Sequence, residues 1–227
     1  MMRWNPSPNF GPRKGGAAVD LVVVHYTAMN GPKPALDRLC DPAFEVSAHY
    51  LIGQGGQVWQ MVDESHRAWH AGRGAWGGCR DVNSASIGIE LCNRGDHAFP
   101  TAQIQTLVDL LAGIATRHHI APQRVIGHSD MAPDRKQDPG ALFPWSTLAA
   151  QGVAVHAPPN DTAAVQLPFL ESARRFGYPT DAGKAAVLAA FRSRFRPTAT
   201  GPFCNADRDV MARLAAAYPV DAGRATA

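Results

Sequence analysis

Three short segments of the chain end in residues that bind metals: Val22-Val23-Val24-His25, Val125-Ile126-Gly127-His128 and Lys136-Gln137-Asp138-Pro139-Gly140. The first two read as apolar strands with a histidine at the exit, and the third holds its aspartate in a Pro/Gly loop. Two imidazoles and one carboxylate form a common ligand set of hydrolytic zinc sites, in which the fourth position stays open to water. A fourth segment, Ile87-Gly88-Ile89-Glu90-Leu91, brings a carboxylate to the end of another apolar strand. A metal, a water and a base are the ingredients of metal-assisted hydrolysis.

Each residue has a plainer reading when taken alone. A histidine at a strand end is more often a hydrogen-bonded core residue than a ligand. Asp138, ahead of Pro139-Gly140, reads equally as a turn aspartate or a cap. Glu90, with apolar neighbours, must be paired or serve a site, and Lys136 or an arginine is the natural ion-pair partner. Lys136 lies two residues from Asp138, so in an extended loop both face the same side; by itself it reads as a solvated lysine. His128-Ser129-Asp130 offers a competing carboxylate and, with it, a two-histidine, one-carboxylate iron centre. Such centres usually sit in jelly rolls, which a long helix at 101–118 does not fit, so Asp130 reads as a loop-shaping residue. The joint appearance of His25, His128 and Asp138, each beside an element able to fix its geometry, favours the metal reading.

The elements that must position these groups follow from periodicity. Leu21 to Val24 is a continuous β-branched run, the pattern of a buried central strand. Pro32 to Leu39 reads as a short helix. Ala48 to Ile52 and Gln57 to Val62 flank Gly53-Gln54-Gly55-Gly56, a hairpin signal. Ser86 to Cys92 and Arg124 to Gly127 are further strands. Thr101 to His118 is the clearest helix: Ile104, Leu107, Val108, Leu111 and Ile114 share one face, and Thr101 is a candidate cap. Pro144 to Ala150 reads as another short helix. Residues 1–18 are Pro/Gly-rich without periodicity. The whole predicts an α/β fold, a central mixed sheet flanked by helices, over residues 1–155. His156 to Asp161 reads as a linker, and helical patterns at 165–177, 183–195 and 205–217 predict a small three-helix domain over 156–227.

Composition sets outer bounds. The 227 residues, 45% hydrophobic and 18% charged, suffice for a substantial core. The net charge is +3, but Lys and Arg are scattered, so nucleic acid is not expected as a partner. No run approaches the roughly 18 apolar residues of a membrane span. The four cysteines, Cys40, Cys79, Cys92 and Cys204, form no C-x-x-C pair and read as reduced thiols, with a Cys79–Cys92 bridge as the alternative. The polar, proline-rich Met1 to Pro8 lacks the apolar core of an export signal. The expectation is therefore a cytoplasmic protein, or an exported one if such a signal has been removed.

Six segments in order resemble the zinc-dependent N-acetylmuramoyl-L-alanine amidases of the type 2 amidase family: Val24-His25-Tyr26-Thr27-Ala28, Val46 to Ile52, Arg67-Ala68-Trp69-His70-Ala71-Gly72, Asn83 to Glu90, Gly127-His128-Ser129-Asp130 and Lys136 to Gly140. The resemblance spans about residues 15–150. The tail is similar to the three-helix peptidoglycan-binding domain that follows the catalytic domain in one branch of that family. It departs from the pattern at Tyr178-Pro179-Thr180-Asp181 and Pro197-Thr198-Ala199-Thr200, so packing against the catalytic domain is an equal expectation for it.

The resemblance implies roles by position. His25, His128 and Asp138 match the Zn2+ ligands, Glu90 the catalytic carboxylate, and Lys136 the lysine near the scissile carbonyl. Trp69, His70 and Ala71 match the groove segment that packs on substrate, and His49 a histidine near the site that is not a ligand. The implied reaction is hydrolysis of the amide between the lactyl group of N-acetylmuramic acid and L-alanine, in (anhydro)muropeptides or peptidoglycan, within cell-wall recycling. The alternative is a related recognition module that binds muropeptides without cleaving them. Oligomeric state is not readable from the chain.

Overall fold

The parallel heart of the molecule is built from the segments that read most clearly as buried strands. The computed structural model describes residues 2–160 and 167–220. In chain order its strands and helices are β1 (Arg3–Trp4), β2 (Phe10–Pro12), β3 (Leu21–Tyr26), α1 (Pro32–Cys40), β4 (Tyr50–Ile52), β5 (Val58–Gln60), β6 (His66–Ala68), α2 (Val82–Ala85), β7 (Ser86–Leu91), α3 (Thr101–His118), β8 (Val125–Gly127), α4 (His128–Met131), α5 (Trp145–Ala150), α6 (Phe169–Phe176), α7 (Lys184–Phe195) and α8 (Asn205–Ala217). Six strands form one mixed sheet in the order β1-β5-β4-β7-β3-β8, and β2 pairs with β6 in a separate ribbon. The β3, β4, β7 and β8 pairings at its centre are parallel, and β4–β5 is an antiparallel hairpin.

Side chains alternate across β3, so the strand divides its residues between two cores. Val22 and Val24 join Ile87, Ile89 and Leu91 under the apolar stripe of α3, formed by Ile104, Leu107, Val108, Leu111 and Ile114. Leu21 and Val23 face the other way, toward Ile126, Trp76, Met131 and the apolar faces of α6, α7 and α8. The tail helices thus close one side of the sheet as α3 closes the other. A fully buried ion pair pins them there: Arg194 Nη1 of α7 lies 2.7 Å from Asp130 Oδ2 of α4, and the Tyr178 hydroxyl donates to Asp130 Oδ1 at 2.6 Å.

Several details differ from the expectations. The segment 1–18 holds β1 and β2, which are two and three residues long and held by backbone pairing with β5 and β6. Strands this short carry no hydrophobic period, which is why the segment read as featureless. Thr101 is the first helical residue of α3 rather than its cap; Pro100 takes the cap position and has no side-chain acceptor to offer. Asp130 does more than shape a loop, since it carries the buried pair with Arg194. The four cysteines are free thiols. The expected linker and the first expected tail helix reach into residues 161–166, which lie outside the described residues; the described helix is Phe169–Phe176. Among the described residues no helix is long and apolar enough to cross a membrane.

Candidate active site

His25 falls on the face of β3 that carries Leu21 and Val23, at the C-terminal end of the strand. Parallel pairing sets Glu90 of β7 directly beside it. His128 leaves β8 as the first residue of α4, where the Gly127 N–H donates to Asp130 Oδ2 at 2.8 Å and fixes the start of the turn. The loop with Asp138 is drawn alongside by the Ser129 N–H, which donates to the Asp138 carbonyl at 2.8 Å. Three consecutive parallel strands therefore open their C-terminal ends onto one cleft, where open α/β sheets place their ligands.

Within that cleft the expected ligand atoms converge. His25 Nδ1 stands 2.9 Å from His128 Nδ1 and 3.1 Å from Asp138 Oδ2, and His128 Nδ1 stands 3.0 Å from the same oxygen. The three residues are 1%, 4% and 8% exposed. Ligands about 2.1 Å from a tetrahedral zinc lie ~3.4 Å apart, so one small cation fits among these three atoms with modest movement. Burial pushes His25 down to about 4, and neighbouring His128 pushes the same way against the opposing pull of Asp138. Burial alone would raise the Asp138 carboxyl, but its hydrogen bonds with His128 and His25 hold it well below the usual carboxylate range. Neutral His25 and ionised Asp138 are the protonation states that metal binding needs. The donor set is able to hold a metal ion.

The cleft is about 570 Å³ and its walls include Tyr26, Arg38, Trp69, Glu90, Arg135 and Lys136. Glu90 presents Oε2 with no hydrogen-bond partner among the described residues. Burial pushes its carboxyl up to about 8, with Asp138 adding to the shift and Lys136 opposing it. The ion pair with Lys136 that the sequence allowed is not within 4 Å; Lys136 acts on Glu90 only through the field.

The other expected residues separate into two groups. Trp69 and His70 line the cleft. Ala71 is fully buried in the apolar core and offers its carbonyl to His128 Nε2 at 3.0 Å. His49 is also fully buried: its Nδ1 accepts the Gly88 N–H at 2.9 Å, its Nε2 lies 3.1 Å from the His66 carbonyl, and burial drives it down to about 3. Gly88 has a steric reason, because a Cβ there would lie 2.4 Å from the ring of His70.

Sequence reasoning missed two organising residues. Asn83 Oδ1 accepts both the His70 N–H at 3.0 Å and the Ala71 N–H at 2.8 Å, shaping the 69–71 turn. Arg13 donates to the carbonyls of Glu64, Ser84 and Ser86 and ties the β6 loop to the start of β7. Asn83 lies in a segment that carried the family resemblance; Arg13 lies in a stretch with no pattern at all.

Comparisons with known proteins point to one family. The N-acetylmuramoyl-L-alanine amidase family profile matches residues 15–141. N-acetylmuramoyl-L-alanine amidase AmiD of Escherichia coli is 38% identical, with 86% of this chain and 81% of that protein aligned. The 1,6-anhydro-N-acetylmuramyl-L-alanine amidase AmpD of Citrobacter freundii is 34% identical over 64% of this chain and 87% of its own length. The solved complex of E. coli AmiD with anhydro-N-acetylmuramic acid-L-Ala-D-gamma-Glu-L-Lys superposes with a TM-score of 0.76 at 35% identity, covering 88% of this chain and 90% of that one. The fold agrees, and the chain belongs to the N-acetylmuramoyl-L-alanine amidase family.

Proposed function

We propose that this protein is a zinc-dependent amidase that hydrolyses the bond between the lactyl group of N-acetylmuramic acid and L-alanine in anhydro-muropeptides. The observation that carries the proposal is the meeting of His25 Nδ1, His128 Nδ1 and Asp138 Oδ2 in one buried cluster, at the cleft that Glu90 lines. His25, His128 and Asp138 would hold the ion. When bound, zinc acts as a Lewis acid that lowers the pKa of water and polarises the carbonyl under attack.

The chain's own groups supply the rest. Glu90, at the end of β7 with an unpaired oxygen, takes a proton from the attacking water and returns it to the departing L-alanine amine. Such general acid–base help is worth roughly 10²–10⁴-fold. Lys136 lends positive charge to the carbonyl oxygen as it becomes an oxyanion, the type of interaction that is often the largest single contribution. Trp69 offers an aromatic wall to the glycan or peptide stem. We take residues 1–155 as the catalytic unit and 156–227 as a helical unit that packs onto it. Relatives named for 1,6-anhydro substrates support soluble turnover fragments as the substrate, and with them a cytoplasmic recycling role.

The test is a mass-spectrometric cleavage assay on zinc-loaded protein, with an anhydro-muropeptide and intact peptidoglycan as separate substrates and a chelator control. The expected result is chelator-sensitive release of free peptide from the soluble fragment. Release from the sacculus as well would relocate the enzyme to the wall. No release from either substrate by zinc-replete protein would replace the amidase with a binding module.

A further inference from the structure

Strand β8 is three residues long and ends the sheet, so among the described residues β3 is its one strand partner. The far side of an edge strand leaves backbone groups unpaired. Here two side chains take them up. Arg194 of α7 donates from Nη2 to the carbonyl of Val125, the first residue of β8, at 2.9 Å. Its Nη1 donates to Asp130 Oδ2 at 2.7 Å. The same oxygen accepts the N–H of Gly127, the last residue of the strand, at 2.8 Å. One guanidinium and one carboxylate thus bracket β8 from end to end.

His128 follows directly, as the first residue of α4. A helix of four residues has too few internal hydrogen bonds to fix its own start. Asp130 fixes it instead. Its carboxylate is 1% exposed, and its other oxygen accepts the Tyr178 hydroxyl at 2.6 Å. Two of the three donors on this carboxylate among the described residues therefore belong to the tail, and the third is the Gly127 backbone. The Asp138 loop meets the same turn. A Cβ on Gly127 would lie 2.7 Å from Pro139 Cδ, and the Ser129 N–H donates to the Asp138 carbonyl. A displacement of the β8–α4 turn moves two of the three residues at the centre.

We infer that the tail serves the reaction centre directly: Arg194 and Tyr178 are positioning residues that, through Asp130, set where His128 leaves β8. Neither side chain lines the cleft. Their effect passes through one buried carboxylate and one backbone N–H, so it is separable from the apolar packing of the same helices. Partners that orient a ligand from behind typically contribute about 10–100-fold to metal affinity. The inference rests on the metal reading of the centre, but its first test does not need the metal.

That test is amide hydrogen exchange, followed by NMR, in the full-length, chelator-treated protein. Arg194→Met is compared with the unsubstituted chain and with Leu214→Ala, which cuts a fully buried apolar side chain of α8 that offers Asp130 no hydrogen bond. Arg194→Met is expected to lose protection at the Gly127 amide at least about tenfold more than at the amides of the β3–β7 pairing. Leu214→Ala is expected to lower both alike. The second test is zinc competition against a chromophoric chelator under conditions where every variant is folded. Arg194→Met is expected to bind zinc at least about tenfold more weakly, with Leu214→Ala unchanged. Should Arg194→Met not fold, Tyr178→Phe carries both comparisons, because it keeps the ring against Trp76 and removes only the hydroxyl. A uniform loss of protection, or equal zinc affinity in the positioning variant and Leu214→Ala, overturns the inference. Failure of the unsubstituted chain to bind zinc would refute the metal reading, while the exchange result still decides whether the tail holds the β8–α4 turn.

Discussion

Replacing Arg194 with methionine tests whether the tail helices are part of the structural core of the catalytic unit. Arg194 is 5% exposed and Asp130 1%. The guanidinium donates to Asp130 Oδ2 at 2.7 Å and to the Val125 carbonyl at 2.9 Å, and it stacks 4.2 Å from the centre of the Trp145 ring. Methionine keeps much of the apolar contact but leaves the Asp130 carboxylate buried with only the Tyr178 hydroxyl and the Gly127 N–H. Breaking a buried pair from one side costs about 3–5 kcal/mol, mostly the burial of the charge left behind. At about 2–4 °C per kcal/mol for a chain of this size, the melting temperature should fall by roughly 6–20 °C. The measurement is urea and thermal unfolding of the unsubstituted chain, Arg194→Met, Asp130→Asn and the double variant. Because each single change strands the partner's polar groups, the double variant should be more stable than the sum of the singles predicts, by about 0.5–3 kcal/mol. A loss below about 1 kcal/mol in Arg194→Met, or strict additivity in the cycle, would refute the argument.

Three further outcomes are expected. Asp138→Ala should lose zinc and activity together, measured by metal analysis and peptide release; stoichiometric tight zinc in that variant would remove Asp138 from the ligand set. Glu90→Gln should keep its zinc and lose roughly 10²–10⁴-fold in kcat, whereas Lys136→Ala should lower kcat with metal content unchanged; near-normal rates would reassign the two roles. Acid stability should depend on Glu64, which accepts hydrogen bonds from Arg117, Tyr50 and His118. Burial would raise that carboxyl, but those hydrogen bonds hold it down to about 2, against an ordinary 4.5. The unfolded chain then binds more protons across this interval, so the stabilisation is complete above about pH 4.5 and is lost as pH falls toward about 2. Urea midpoints measured across that window should drop less steeply in Glu64→Gln; parallel curves would show that Glu64 contributes nothing.

The central strands, the α3 stripe and the three residues that converge at the cleft were legible in the chain because their signals are local. A β-branched run that ends in histidine records both the burial of the strand and the exit of its last side chain. Spacing determined that His25 and Glu90 stand at strand ends. Only parallel pairing decided that they stand side by side, and only the β8–α4 turn decided that His128 joins them. The strands at 3–4 and 10–12 were silent because two or three residues cannot display a period, and their pairing partners lie more than 50 residues away. Arg13 and Asn83 were silent as organisers for a related reason: each acts through a few hydrogen bonds, to groups that folding alone brings near. The same holds for Asp130, which spacing placed in a loop and tertiary packing placed opposite Arg194, 64 residues further on. Residue types therefore determined which chemistry was available, since donor atoms and periodicity are properties of the chain itself. Direction, which nitrogen faces the centre, was decided by contacts between distant segments, because a contact exists only once both partners are in place.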